Sequence, residues 1–143
     1  MLNNFICIIP AKGNSKRLKR KNILMANGHP IIAYPITADI QSEIFSTIIV
    51  STEDSEIAKI SEAYGAEVYI RDSVLTDDKA RVVHVCEDIL RNQAYSKFSG
   101  FCCLYATAAL VRPSDLQDSF KIFENSDFNN VMGVSKYNYH PFR

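Results

Sequence analysis

Phe5-Ile6-Cys7-Ile8-Ile9 is an unbroken apolar run that delivers the chain into Pro10-Ala11-Lys12-Gly13-Asn14-Ser15-Lys16-Arg17-Leu18-Lys19-Arg20-Lys21-Asn22. Five apolar residues without polar alternation predict a strand covered on both faces, as in parallel sheets. The segment after it is opposite in character. Six of the ten residues from Lys12 to Lys21 are basic, and no acid interrupts them. Ligands of open α/β sheets bind beyond the carboxyl ends of the strands. A buried strand opening into a cationic loop therefore decides both the fold class and where to look for a site.

Downstream, strand and helix signals alternate. Ile31 to Ile40 carries apolar residues at roughly helical spacing, with Pro30 at the expected first helical position and Pro35 placed to kink or delay the helix. Thr47-Ile48-Ile49-Val50 predicts a second strand. Ser51-Thr52-Glu53-Asp54 supplies capping chemistry for a helix whose face carries Ile57, Ile60 and Tyr64, ended by Gly65. Glu67 to Ile70 predicts a third strand. Val82, Val85, Cys86, Ile89 and Leu90 follow the spacing of an amphipathic helix. Phe101 to Tyr105 predicts a fourth strand, and Ser114-Asp115 a cap for a helix through Leu116, Phe120 and Phe123. Asn130 to Val134 predicts a fifth strand. Such alternation specifies an α/β fold with a doubly wound, mostly parallel sheet. No repeat, low-complexity stretch or linker divides residues 1–143, which read as one domain.

Composition narrows the function classes. A hydrophobic content of 47% and a charged content of 22% fit a globular protein and exclude a disordered one. The longest apolar runs fall far short of the roughly 20 residues needed to span a bilayer. Met1-Leu2-Asn3-Asn4 lacks the positive charge of a signal peptide, so the cytoplasm is the expected location. Cys7, Cys86, Cys102 and Cys103 form no C-x-x-C pair and read as small buried hydrophobes in a reducing compartment. The 16 basic and 16 acidic residues cancel, yet without the Lys12 to Lys21 window the balance is 10 against 16, a net charge of −6. That asymmetry predicts one local anion site rather than a basic coat for nucleic acid.

The loop has the chemistry for a di- or triphosphate. Gly13 permits close backbone approach, Ser15 adds a hydroxyl donor, and the cations supply charge. It matches neither the Walker A spacing nor G-x-G-x-x-G. A solvated basic turn or a nucleic-acid patch is the bland alternative. Position after the first strand weighs against both, and the absence of interleaved aromatics for stacking bases weighs against the nucleic-acid patch.

Pro10-Ala11-Lys12-Gly13-Asn14-Ser15-Lys16, ending in Lys21-Asn22, resembles the N-terminal signature of the acylneuraminate cytidylyltransferases, or CMP-sialic acid synthetases. Val50 to Asp54, Arg71 to Leu75 leading into Asp77-Asp78-Lys79-Ala80, and Leu104 to Leu110 continue the resemblance in order along the chain. Tyr105-Ala106-Thr107 is similar to the pseudaminic acid branch rather than the sialic acid branch. The resemblance implies a Rossmann-like fold of the nucleotide-diphospho-sugar transferase type. It also implies a reaction, in which the anomeric hydroxyl of a nine-carbon 2-keto sugar acid attacks the α-phosphate of CTP and pyrophosphate leaves. Mg²⁺ is implied as cofactor and a homodimer as the full-length assembly, with no nucleic-acid or membrane partner.

Carried over position by position, Lys12, Lys16 and Lys21 would act on the reacting phosphates, Lys12 standing where the signature usually has arginine. Ala11, Gly13, Asn14, Ser15 and Asn22 would complete the nucleotide loop. Arg71, Asp78 and Ala80 would line the nucleotide pocket, Ala80 through its backbone. Tyr105, Thr107 and Arg143 would face the sugar. Arg71 reads equally as a solvated residue behind an edge strand, Asp77 and Asp78 as helix caps, and Thr107 as an ordinary loop hydroxyl. His84 reads as an exposed histidine.

The chain departs from the pattern at Arg81-Val82, where small hydroxyl residues are common, and at Ala109, where proline is common. The aromatic-rich stretch from Lys136 to Arg143 reads as the interior of a longer protein, whose later portion would hold the acidic metal ligands and a dimerisation segment. Rival readings are a transferase for the eight-carbon acid Kdo, a nucleic-acid- or anion-binding module, and an inactive fragment.

Overall fold

The computed structural model describes residues 4–76 and 80–138. Its centre is a parallel four-stranded sheet. The strands are β1 (Phe5–Pro10), β4 (Thr47–Thr52), β5 (Glu67–Ile70) and β6 (Gly100–Cys103), in the order β5-β4-β1-β6. The register pairs Ile6 with Thr47 and Pro10 with Ser51 on one side of β1, and Phe5 with Gly100 and Ile8 with Cys103 on the other. Chain order reverses beside β1: β4 and β5 extend the sheet one way and β6 the other. That reversal opens a crevice above the carboxyl ends of β1 and β6.

Both faces are covered, as the unbroken apolar strands require. Cys7, Ile9, Ile48 and Val50 meet Ile32, Ile36 and Ile57 from the side of α1 (Ala33–Ser42) and α2 (Ser55–Ala63). Ile6, Ile8 and Ile49 point the other way, onto Val85, Cys86 and Ile89 of α3 (Val82–Arg91). Ile6, Ile8, Ile9, Ile49 and Ile89 are wholly buried. The last helix, α4 (Pro113–Glu124), lies against α1 through Leu116 and Ala38, and its Phe120 and Phe123 each meet Phe5 in a T-shaped pair. Among the described residues no helix is long and apolar enough to cross a membrane.

Helix ends follow local chemistry. Asp54 caps α2 by accepting the N–H groups of Glu56 and Ile57, both at 3.0 Å, and Gly65 follows the helix at φ +94°. At α4 the predicted Ser114 cap gives way to Arg112. Pro113 takes the first helical position, and Asp115 accepts the Arg112 N–H at 2.9 Å.

Three further expectations are corrected. Pro30 does not start α1. It ends a small antiparallel hairpin, β2 (Met25–Ala26) with β3 (His29–Pro30), turned by Asn27-Gly28 at φ 47° and 83°. Asn-Gly with both residues at positive φ is the favoured two-residue hairpin turn. Pro35 falls in the first turn of α1, where its missing N–H disturbs no helical bond. Asn130 to Val134 forms no strand: Met132 and Val134 stand 79% and 87% exposed. An apolar, β-favouring segment becomes a strand only beside a ladder partner, and none is seated there among the described residues. The cysteines are free, but only Cys7 and Cys86 are buried. Cys102 and Cys103 lie on β6, at the sheet edge, and are half-buried and exposed.

Candidate functional site

The crevice above β1 and β6 is a cleft of about 180 Å³. Its walls come from four segments far apart in sequence. The basic loop contributes Pro10, Lys12, Ser15, Lys21 and Asn22. The end of β5 contributes Arg71, followed by Leu75 and Ala80. Val82 and Val85 rise from α3, and Tyr105, Ala106 and Thr107 follow β6. Three cationic side chains thus converge on a pocket with an apolar wall, an arrangement suited to a polyphosphate joined to a less polar group.

Local bonds hold the basic loop in place. Ala11 is wholly buried and donates its N–H to Ser51 O at 2.9 Å, carrying the β1–β4 ladder one residue beyond the strand. Asn22 is 6% exposed. Its Nδ2 donates to Lys12 O at 2.9 Å, and its carbonyl accepts the Ile32 N–H at 3.1 Å. One buried amide therefore ties the two ends of the loop together. Ser15 N–H donates to Gly13 O at 3.1 Å, a tight turn that leaves Ser15 among the residues lining the cleft.

The acidic turn before α2 grips the loop from outside. Gly13 N–H donates to Glu53 Oε1 at 2.8 Å. The Arg20 guanidinium lies on both Asp54 oxygens, with Nη2 to Oδ1 at 3.1 Å, and also pairs with Glu56. The guanidinium holds the Asp54 carboxyl below the usual carboxylate range. Gly13 is required by this close approach: a Cβ there would lie 2.4 Å from Asp54 Oδ2 and 2.7 Å from Asp54 Cβ. Asp54 is anchored as a helix cap and cannot simply swing away. Gly13→Ala is accordingly expected to destabilise the fold by about 1–3 kcal/mol in urea unfolding. A loss below 0.5 kcal/mol would show that the loop yields freely.

Arg71 is 6% exposed, which corrects its reading as a solvated residue. Nη2 donates to Ser51 O at 2.8 Å and Nε to Ser51 Oγ at 3.3 Å. Burial pushes its pKa down, while the charge on Glu53 opposes that shift.

Of the residues singled out from sequence, Lys12, Ser15, Lys21, Asn22, Arg71, Ala80, Tyr105 and Thr107 meet at this cleft. Ala11 is sealed in the core below it. Gly13 lies against the acidic turn, and Asn14 and Lys16 are exposed on the loop away from the lining. Asp78 and Arg143 lie outside the described residues, as do Asp77 and Lys79. Sequence reading missed Val82 and Val85 as lining residues. Their spacing of three along α3 puts both on one face, and only the packing of α3 under β1 turns that face to the cleft.

A parallel α/β sheet with a cation-lined cleft at its switch point is the layout of a phosphate- or nucleotide-binding protein. The profile of the cytidylyltransferase family matches residues 6–139, and the chain belongs to that family. It is 36% identical over 140 residues to the pseudaminic acid cytidylyltransferase of Campylobacter jejuni subsp. jejuni serotype O:23/36, covering 94% of this chain and 59% of that protein. With the N-acylneuraminate cytidylyltransferase of Escherichia coli O18:K1:H7 it shares 32% over 139 residues, covering 96% of this chain and 33% of the relative. Its fold superimposes on a CMP-2-keto-3-deoxy-manno-octonic acid synthetase solved with CTP, at a TM-score of 0.71 and 19% identity, over 85% of this chain and 47% of that one. The chain thus spans about three fifths of the length of the C. jejuni relative.

Proposed function

We propose that this chain is the CTP-binding portion of a cytidylyltransferase that makes a CMP-activated nonulosonic acid from CTP and the free sugar acid. One observation carries this: the family's loop residues Lys12, Ser15, Lys21 and Asn22 share a single cleft with Arg71 and Tyr105 to Thr107. The cationic wall faces the phosphates, and the Tyr105 to Thr107 wall faces the sugar. In the reaction the anomeric hydroxyl gives up its proton to solvent, its oxygen forms a bond to the α-phosphorus as the bond to the α–β bridging oxygen breaks, and pyrophosphate leaves. No covalent enzyme intermediate is needed. The chain's own contribution is to position the triphosphate and to set fixed charge around it. Lys12 and Lys21 offset charge on the leaving pyrophosphate, Lys16 adds only to the general field from outside the lining, Ser15 adds a hydroxyl donor, and Arg71 is the third cation of the cleft.

A divalent cation, Mg²⁺ in this scheme, would neutralise phosphate charge when bound. Among the described residues no three His, Cys, Asp or Glu side chains converge to hold one, and no step here is routed through it. A cytoplasmic location, a homodimeric full-length protein and a C. jejuni-like sugar preference belong to the same proposal.

Thermal unfolding with Mg²⁺ and CTP, UTP, ATP or GTP tests it. A ligand at 100 times its Kd contributes about 2.7 kcal/mol, on the order of 4 °C for a chain of this size. A shift selective for CTP supports the function. Equal shifts from all four nucleotides would reduce the cleft to a general polyphosphate site. Salt-sensitive binding of RNA without a CTP preference would favour the nucleic-acid module instead.

A further inference from the structure

The basic loop contains more cations than its cleft uses, and one of them is turned the other way. Arg20 sits amid Arg17, Lys19 and Lys21, yet its guanidinium is bound to Asp54 and Glu56 on the outer side of the loop. Its backbone adopts φ 56° and ψ 27°, a left-handed conformation that side chains with a Cβ disfavour. That turn immediately precedes the 3₁₀ segment Lys21–Ile23, which carries the cleft residues Lys21 and Asn22. The same acidic turn takes the Gly13 N–H through Glu53, at the other end of the loop. A loop this rich in like charge repels itself and would spread into solvent unless something held it.

Resting on the proposed function, we infer that Arg20 is a positioning residue: clamped by Asp54 and Glu56, it holds Lys21 and Asn22 turned into the cleft before a polyphosphate arrives. Arg20 does not touch the ligand. It acts through the two residues that follow it, and Asp54 is the fixed point because it is also anchored as the cap of α2. The ion pair is partly exposed, so its contribution to overall stability is small. Its effect falls on preorganisation, which sets how much ordering the ligand must bring about on binding.

The test measures Kd by calorimetry for two probes, inorganic tripolyphosphate and CTP with Mg²⁺. The proteins are the unmodified chain, Arg20→Ala, Arg20→Lys, Asp54→Asn, the Arg20→Ala/Asp54→Asn double variant, and Arg17→Ala and Lys19→Ala as charge controls. Asparagine caps helices as well as aspartate does, so Asp54→Asn removes the charge and spares α2. Arg20→Ala and Asp54→Asn are each expected to weaken tripolyphosphate binding about tenfold, and the double variant no further than either. Arg20→Lys recovers part of the loss, and Arg17→Ala and Lys19→Ala stay within about twofold of the unmodified chain. If Arg17→Ala or Lys19→Ala loses as much as Arg20→Ala, the effect is net charge and the clamp is refuted. Multiplying single effects in the double variant refutes it as well. Should Arg20→Ala fail to fold, Asp54→Asn against the two controls decides the matter. Selective CTP binding that is insensitive to Arg20 overturns the clamp and leaves the function standing. Arg20-dependent tripolyphosphate binding with no preference for CTP does the reverse. Binding of neither probe to the unmodified chain overturns both.

Discussion

Between pH 4 and pH 8 the unfolding free energy is expected to fall by about 4 kcal/mol from one residue, Asp39, and Asp39→Asn is expected to abolish that dependence. Asp39 is 1% exposed on the inner face of α1, and neither carboxylate oxygen has a hydrogen-bond partner among the described residues. Burial lifts its pKa from 3.8 to about 7, and its polar neighbour, the Cys7 thiol, offsets that only in part. A carboxyl with a raised folded pKa holds its proton in the native chain after the unfolded chain has released it. Stability is therefore highest below the unfolded value, declines as pH rises, and levels off above the folded value near 7. Asp54 and Asp115 are shifted down by Arg20 and Arg112, so they act with the opposite sign and at lower pH. Urea unfolding at pH steps from 4 to 8 reads the effect. Parallel curves for the two proteins would mean that Asp39 finds a partner or water when ionised.

Replacing Lys21 with alanine is expected to raise the Kd for CTP on the order of 10- to 100-fold, with little change in the ligand-free melting temperature. Lys21 lines the cleft while its own side chain is exposed, so removing it takes nothing from the core. A charge-assisted bond to phosphate is worth about 1.5–3 kcal/mol, which sets the size of the effect. Lys21→Arg keeps the charge and should retain most of the affinity, whereas Lys16→Ala, away from the lining, should lose much less. Equal losses at Lys16 and Lys21 would show that the loop acts as a diffuse field rather than through placed contacts.

The sheet was legible in the sequence because its strands are buried on both faces. Ile6 to Ile9 and Ile48 to Val50 have no polar alternation, and that leaves a parallel sheet under two helix layers as the way to cover them. Capping of α2 from within Ser51 to Asp54 and its end at Gly65 were legible for a local reason, since such residues satisfy or accommodate backbone groups within a turn of themselves, and the structure assigns the cap to Asp54. The loop's chemistry was equally plain from six cations beside Gly13 and Ser15.

Other features have no local signature. Asp39 falls on the helical stripe that also holds Ile32 and Ile36, and nothing in its neighbourhood along the chain distinguishes a buried carboxyl from an exposed one. Arg20 looks like its cationic neighbours, and only the arrival of Asp54 and Glu56, 34 and 36 residues later, turns it outward. Asn130 to Val134 has the composition of a strand, but a strand is a property of two segments and of the bonds between them.

The sequence by itself determined the four parallel strands and the four helices between and after them, the cationic loop at the end of the first strand and the family to which the chain belongs. These follow from periodicity, capping and motif, which act over a few residues. Only the tertiary structure decided which cations face the cleft, which one clamps the loop from behind, and that Arg71, Val82, Val85 and Thr107 share its walls. Those outcomes depend on contacts between segments tens of residues apart, whose geometry exists only once β4, α3 and β6 have packed around β1.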